Sequence, residues 1–276
     1  MKIFGGWRSY LSFCLALMAA MATLAPPAAW SADNATARDV ALQDREFRAR
    51  LLDMAGFIGG AQAFSVTIRS GYDAIQADGQ RIEFGEKRRI TLQRPDRMRV
   101  EAERSDGDRG VILFDGKALT VFKADDNVYA QMDRNATVDE MLVYMVRDLR
   151  LTLPLARMFH SGFRESLEKL VTSVSFVEEN FFFDVPTDHL AVRSENVDLQ
   201  IWVAQGDRPL PRRAVITYKN EPGQPQFWAE LSDWDLSPAV TDASFSFTPP
   251  AGAEKIPLLV PVRKKGALPT QEGGAQ

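Results

Sequence analysis

The feature that most constrains this chain is a switch to a two-residue period at Phe64. Phe64, Val66 and Ile68 alternate with Ser65, Thr67 and Arg69. Successive side chains of a strand point to opposite faces, so this pattern predicts a half-buried β-strand. Turn signals then recur at short intervals. Asp78-Gly79 precedes a second strand over 81–93, and Arg94-Pro95-Asp96-Arg97 turns the chain again. Met98, Val100 and Ala102 alternate with Arg97, Arg99, Glu101 and Glu103, and Asp106-Gly107 follows. Segments 109–114 and 118–123 flank Asp115-Gly116, a strong short hairpin signal. Asp125-Asp126-Asn127 leads into a sixth strand, 127–132. Six consecutive strands joined by tight turns predict an antiparallel meander.

Helical periods stand on either side. Residues 36–58 carry Val40, Phe47, Leu51, Met54 and Ile58 at three- and four-residue steps. Thr36 with Asp39 reads as a capping box, and Gly59-Gly60 ends the pattern. After the meander, Thr137-Val138-Asp139-Glu140 is a second capping box before the stripe Val138, Met141, Leu142, Met145 and Leu149. Pro154 starts or kinks a second helical piece with Leu155, Met158 and Phe159, ended by Gly162. A third holds Phe163, Leu167 and Leu170. Strands resume at about 172–183, 187–194, 197–204, 211–219 and 225–234. This order predicts a mainly β, α+β domain. About eleven strands form one strongly curved antiparallel sheet, an incomplete β-barrel, with helices on its concave face.

The first 31 residues stand apart. Lys2 and Arg8 precede an uncharged apolar run from Tyr10 to Leu24, broken by Pro26 and Pro27. Small Ala29 and Ser31 then suit cleavage before Ala32, so residues 1–31 read as a signal peptide and the protein as periplasmic. The one Cys of the chain, Cys14, lies inside that signal, so the exported protein has no thiol. The domain is expected over 32–261, and the Lys-, Gly-, Pro- and Gln-rich stretch 262–276 as a disordered tail.

Composition removes function classes. Thirty-three Lys plus Arg against 37 Asp plus Glu give a formal charge of −4, which argues against a basic nucleic-acid face. The charge becomes more negative when Lys2 and Arg8 leave with the signal. Two His and one Cys leave little material for a metal cluster. G-x-S-x-G, H-E-x-x-H, P-loop and G-x-G-x-x-G signatures are all missing from the sequence. No enzyme, metal or cofactor is therefore expected.

Several motifs together carry a family resemblance. Arg94-Pro-Asp-Arg-Met-Arg-Val-Glu101 and Phe114-Asp-Gly-Lys117 resemble the lipoprotein-carrier group typified by LolA and LolB. There an Arg-Pro turn enters a strand and an Asp-Gly-Lys hairpin follows. Phe245-Ser-Phe-Thr-Pro-Pro-Ala-Gly252 resembles the end of such chains. A nearer resemblance is to predicted bacterial periplasmic proteins of unknown function. It is carried by Asp188-His-Leu-Ala-Val-Arg193, Asp198-Leu-Gln-Ile-Trp202, Pro211-Arg-Arg213 and Phe227-Trp-Ala-Glu-Leu-Ser-Asp-Trp234. The resemblance spans most of 36–256 and implies a helix-plugged open barrel whose apolar cavity accepts acyl chains. The carriers' cavity arginine has no single counterpart here, since Arg81, Lys87, Arg88 and Arg89 all lie near its place.

Two groups of residues follow as candidates. Phe64, Val66, Ile68, Met98, Val100, Met141, Met145, Met158, Leu199 and Ile201 are the expected cavity lining; the methionines supply adaptable, polarisable surface. His189, Arg193, Asp198, Gln200 and Trp202 form an expected polar patch, with Asp188 and His189 on opposite strand faces. The first group predicts a carrier for a lipid or the acyl chain of a lipoprotein. The second suits an envelope sensor or interaction module with a protein partner. A hydrolase using acids and His189 is a third reading without a motif behind it.

Overall fold

The computed structural model describes residues 29–151 and 153–258. Residues 1–28 of the expected signal peptide (1–31) and the tail from residue 262 lie outside them. Among the described residues, those from Val40 onward form one compact unit, and Ala29–Asp39 fall in a second. Among the described residues, no helix is long and apolar enough to cross a membrane.

Helix α1 (Ala29–Gly60) presents Leu51, Met54, Ala55 and Ile58 to the core. It begins earlier than expected. No Gly or Pro intervenes between Pro27 and Gly56, so nothing stops the helix at Thr36, which lies inside it and not at its start. The meander follows as β1 (Ala63–Ile75), β2 (Arg81–Gln93), β3 (Arg97–Arg104), β4 (Arg109–Phe114), β5 (Ala118–Lys123) and β6 (Val128–Asp133). Gly79, Gly107 and Gly116 take the left-handed backbone that their turns demand.

A helical stretch comes next: α2 (Val138–Arg147), a 3-10 turn (Ala156–Phe159) and α3 (Phe163–Leu170). The capping box of α2 is formed. The Glu140 N–H donates to Thr137 Oγ1 at 3.3 Å, and Glu140 Oε2 accepts from the Thr137 N–H at 2.8 Å. The second meander is β7 (Val171–Phe182), β8 (Val185–Ser194), β9 (Val197–Ala204), β10 (Pro211–Tyr218) and β11 (Gln226–Asp235). A second 3-10 turn (Asp242–Phe245) precedes β12 (Glu254–Lys255). This twelfth strand is only two residues long, too short to show a period, and it pairs parallel to β6.

All twelve strands form one curved, open sheet in the order β12-β6-β5-β4-β3-β2-β1-β11-β10-β9-β8-β7. The two meanders meet where β1 pairs with β11. The ends of the helical stretch therefore attach to strands near opposite edges, β6 and β7. A connection of this kind has to traverse the sheet. It does so over the inner face, where its apolar side chains and those of α1 join one core with the strands.

Register makes that inner face continuous. Phe64, Leu92, Met98, Phe114, Leu119 and Met132 form one cross-strand row; Val66, Ile90, Val100, Ile112, Val121 and Ala130 form the next. In the second meander Val174, Val192, Leu199, Ile216 and Phe227 align likewise. A shift of one residue in any strand would turn its apolar set to the outside, so burial of this face fixes the pairing.

Arg94 ties the ends together. Its guanidinium donates to Ala61 O at 3.1 Å and Phe159 O at 2.9 Å, and pairs with Asp139 at 3.0 Å. Burial opposes the charge on Asp139, but hydrogen bonds from Ser161 and the Arg94 cation outweigh it and hold the carboxyl below its ordinary range. The Arg-Pro motif is thus a structural clamp between α1, α2 and the 3-10 turn.

Candidate functional site

The space between sheet and helices is nearly filled. It holds a cavity of about 40 Å³ lined by Ile68, Arg88, Ile90, Leu92, Met98, Val100, Ile112, Leu142, Met145, Leu153, Leu155, Ala156 and Phe159. One water occupies roughly 30 Å³ of liquid, and pockets that hold a small molecule run to about 300–1,000 Å³. A volume of about 40 Å³ is too small for an acyl chain. The apolar helix faces, instead of standing off the sheet, are packed into it.

Of the ten expected lining residues, Ile68, Met98, Val100 and Met145 border this cavity. Phe64, Val66, Met141, Met158 and Ile201 are buried in the surrounding core, and Leu199 packs against it half-buried. Leu153, Ala156 and Phe159 were not among the expected lining. They come from the connection after α2, whose Pro154 signalled a break but not its position over the sheet. Among Arg81, Lys87, Arg88 and Arg89, only Arg88 lines the cavity, where it pairs with Glu86. Lys87 and Arg89 border a groove on the outer face, and Arg81 pairs with Asp73 at 3.2 Å.

Residues of the connection between α2 and the 3-10 turn line the cavity and two open spaces. One, of about 570 Å³, is lined by Tyr72, Gly85, Arg88, Arg104, Pro154, Tyr218 and Phe227, among others. The other, of about 580 Å³, is lined by Leu142, Val146, Leu153, Pro154, Ala156 and His160, among others. Arg88 is common to the cavity and the first space; Leu142, Leu153 and Ala156 are common to the cavity and the second. The backbone bonds of this connection are local: the Leu151 N–H donates to Met145 O and the Ala156 N–H to Leu153 O, both at 3.0 Å. Arg150 within it has φ of 54°, the left-handed region. Burial of Leu149 and Leu155 holds it down.

The polar patch lies on the outer face of the second meander, on β8 and β9, away from the strands that line the cavity. His189 stacks on Trp202 with ring centroids 3.9 Å apart and planes 10° from parallel. Its Nε2 lies 3.1 Å from Gln200 Oε1, and its Nδ1 3.8 Å from Glu178. Burial pushes the imidazole below its ordinary value, with Gln200 and Glu178 opposing. Arg213 stands over Trp202 at 5.6 Å and Trp228 at 5.7 Å and donates to Glu230 at 2.7 Å. Asp198 pairs with Lys219 at 3.1 Å. Arg193 and Asp198 are cross-strand partners in register, as are His189 and Trp202. The structure thus joins His189, Gln200 and Trp202 in direct contact, with Arg193 and Asp198 further along the strands.

Asp188 points the other way, as strand alternation requires. It is buried, pairs with Arg50 of α1 and accepts from Gln205 at 2.7 Å. Sequence reasoning missed this link between α1 and the second meander. Its signal was present: a charged residue inside an apolar strand needs a partner. Among the described residues, no cluster of His, Cys, Asp and Glu suits a metal ion.

The fold class is an open, mostly antiparallel curved sheet with helices packed on its inner face. Within that class the chain belongs to a family of predicted periplasmic proteins (DUF2092), whose model matches residues 48–259. This agrees with the resemblance carried by residues 188–234. None of the curated proteins compared with the sequence matches it. Among solved structures, LprF from Mycobacterium bovis is 11% identical, with a TM-score of 0.47 over 76% of this chain and 99% of that one. The Mycobacterium tuberculosis lipoprotein LppX is 13% identical, with a TM-score of 0.45 over 72% and 100%. The LolA superfamily protein NE2245 from Nitrosomonas europaea is 13% identical, with a TM-score of 0.34 over 71% and 96%.

Proposed function

We propose that this is a periplasmic binding protein that takes a lipid or lipoprotein acyl chain between its sheet and its helices, and that the structure is its closed state. One observation carries the reading: a small apolar cavity shares lining residues with two larger open spaces, and one locally bonded connection contributes to the lining of all three. Lifting Leu153 to Ala156 joins the three into one cleft. Each buried methylene of a ligand then contributes about 0.8 kcal/mol, so a chain of ordinary length can offset the packing that the connection gives up when it lifts. Met98, Met145 and Met158 suit this exchange because thioether side chains adapt to either filling.

Native mass spectrometry and lipid extraction of the protein purified from periplasm test the reading. The expected result is one acyl-bearing molecule per chain, and saturable uptake of a fluorescent C16 fatty acid by the delipidated protein. Val100→Phe, which fills the cavity, lowers that uptake while leaving the fold intact by circular dichroism. Neither bound lipid nor probe uptake by the folded wild-type protein would remove the proposal.

A further inference from the structure

Three consecutive phenylalanines end β7 and enter its turn. Phe181 is 76% exposed and Phe183 is 56% exposed. Phe182 pairs with Val185, so Phe183 and Asp184 are the two central residues of the hairpin turn. Both have positive φ, 49° and 60°. A two-residue turn with both central φ values positive is the type that favours Asn, Asp and Gly. A phenylalanine there costs backbone free energy and exposes an aromatic ring as well. Two unfavourable choices at one position, beside the more exposed Phe181, point to a contact made outside the molecule.

The arrangement of the rings says what kind of contact. Phe181 alternates with Phe182 along β7 and so lies on the opposite face of the hairpin. Phe183 packs edge-on against Phe182, with centroids 4.5 Å apart, and borders the groove on the outer face. The tip is therefore apolar on both faces. A partner strand covers an edge and a protein pocket covers a face, whereas a fluid interface covers exposed rings on both sides of a tip at once. The hairpin's charges refine the choice. Glu178, Glu179, Asp184 and Asp188 lie on it against one cation, Arg193, with Arg213 of β10 over the Phe182 ring at 5.9 Å, so the hairpin is net acidic. The charge disfavours an anionic surface.

We infer that the β7–β8 hairpin tip docks the protein onto the interfacial region of a lipid bilayer, through Phe181 and Phe183, with a preference for zwitterionic over anionic lipid. Aromatic side chains are enriched at that depth of a membrane. The inference does not depend on the interior cleft, since docking uses only the outer tip.

Sedimentation of the full exported chain with phosphatidylcholine vesicles tests it, alongside vesicles containing phosphatidylglycerol. The wild-type protein is expected to co-sediment with phosphatidylcholine and less with the anionic mixture. Phe183→Asn should reduce the partition coefficient by about tenfold, the loss of one interfacial anchor. Asn suits the left-handed turn, so this variant should be at least as stable to urea as the wild type, which separates loss of docking from loss of fold. Phe181→Ser should reduce binding without the turn being touched. The inference is overturned by no vesicle binding by the folded wild type, by binding of both variants equal to that of the wild type, or by binding that requires anionic lipid and vanishes with salt. Capture of a stoichiometric protein through the same two residues, with no vesicle binding, would likewise overturn it.

Discussion

The two faces of the sheet are made from the same strands by alternate residues, yet they do different work. The inner face is a set of continuous apolar rows sealed by α1, α2 and the turns after it. Its stability comes from area removed from water and from close packing. The outer face carries charges and the His189–Trp202–Arg213 stack, and the phenylalanine tip lies at the end of the β7–β8 hairpin, away from the inner core. The difference teaches that side-chain shape matters most on one side and chemical type on the other. It also separates the proposed ligand cleft from the proposed docking surface, so substitutions can address them one at a time.

The largest expected effect is on the inner side. Phe64 is fully buried, packs near Phe159 and Trp234 with centroids 5.6 Å away in both cases, and begins the first cross-strand row. Phe64→Ala should cost about 3–5 kcal/mol of unfolding free energy, measured by urea denaturation. Lys87→Ala, on the outer face of the neighbouring strand, should stay within about 0.5 kcal/mol. If the two variants were equally mild, the contrast between faces would fail.

Next is the ion pair that crosses into the interior. Arg50→Ala leaves buried Asp188 with Gln205 as its remaining side-chain partner. The Arg50 side chain is 42% exposed, so solvent takes part of its role and the expected cost is about 2 kcal/mol, below that of breaking a fully buried pair. A midpoint in urea unchanged from wild type would show that α1 is not held by this contact.

The smallest effect is a pH dependence on the outer face. Burial depresses the His189 imidazole in the folded state relative to its ordinary 6.5. The unfolded chain therefore binds its proton more readily. The contribution is fully retained above pH 6.5 and is lost as pH falls from there through the folded value. His189→Gln should flatten this part of the stability profile between neutral and mildly acid pH, read from urea midpoints. An unaltered profile would show that His189 does not contribute to it.

Much of the architecture was legible in the sequence because alternation and turn chemistry are local. The ranges 81–93, 109–114, 118–123 and 197–204 coincide with β2, β4, β5 and β9. Asp115-Gly116 turns as its residues require, and Thr137 caps α2. The start of α1 was misplaced because a capping pair inside a helix looks the same as one at its end. The interior was less legible. A methionine stripe states that a helix is apolar on one side; it does not state whether the helix stands off the sheet or fills it.

The candidate sites divide in the same way. Alternation alone put Asp188 and His189 on opposite faces, and placed Asp198, Gln200 and Trp202 together. It did not reveal that Arg50 reaches Asp188 from 138 positions away, or that Arg213 stands over Trp202 from the next strand. Nor did it show that Phe183 occupies a left-handed turn position, since that depends on β7 and β8 pairing in one register.

The sequence by itself determined the strands, their turns and which residues share a face, because these follow from backbone geometry within a few residues. Tertiary structure alone decided that the two meanders meet at β1 and β11, that the helices close over the inner face, and that a cavity of about 40 Å³ lies between them among the described residues. Those outcomes depend on distant segments competing for the same apolar surface, and no local period records which of them wins.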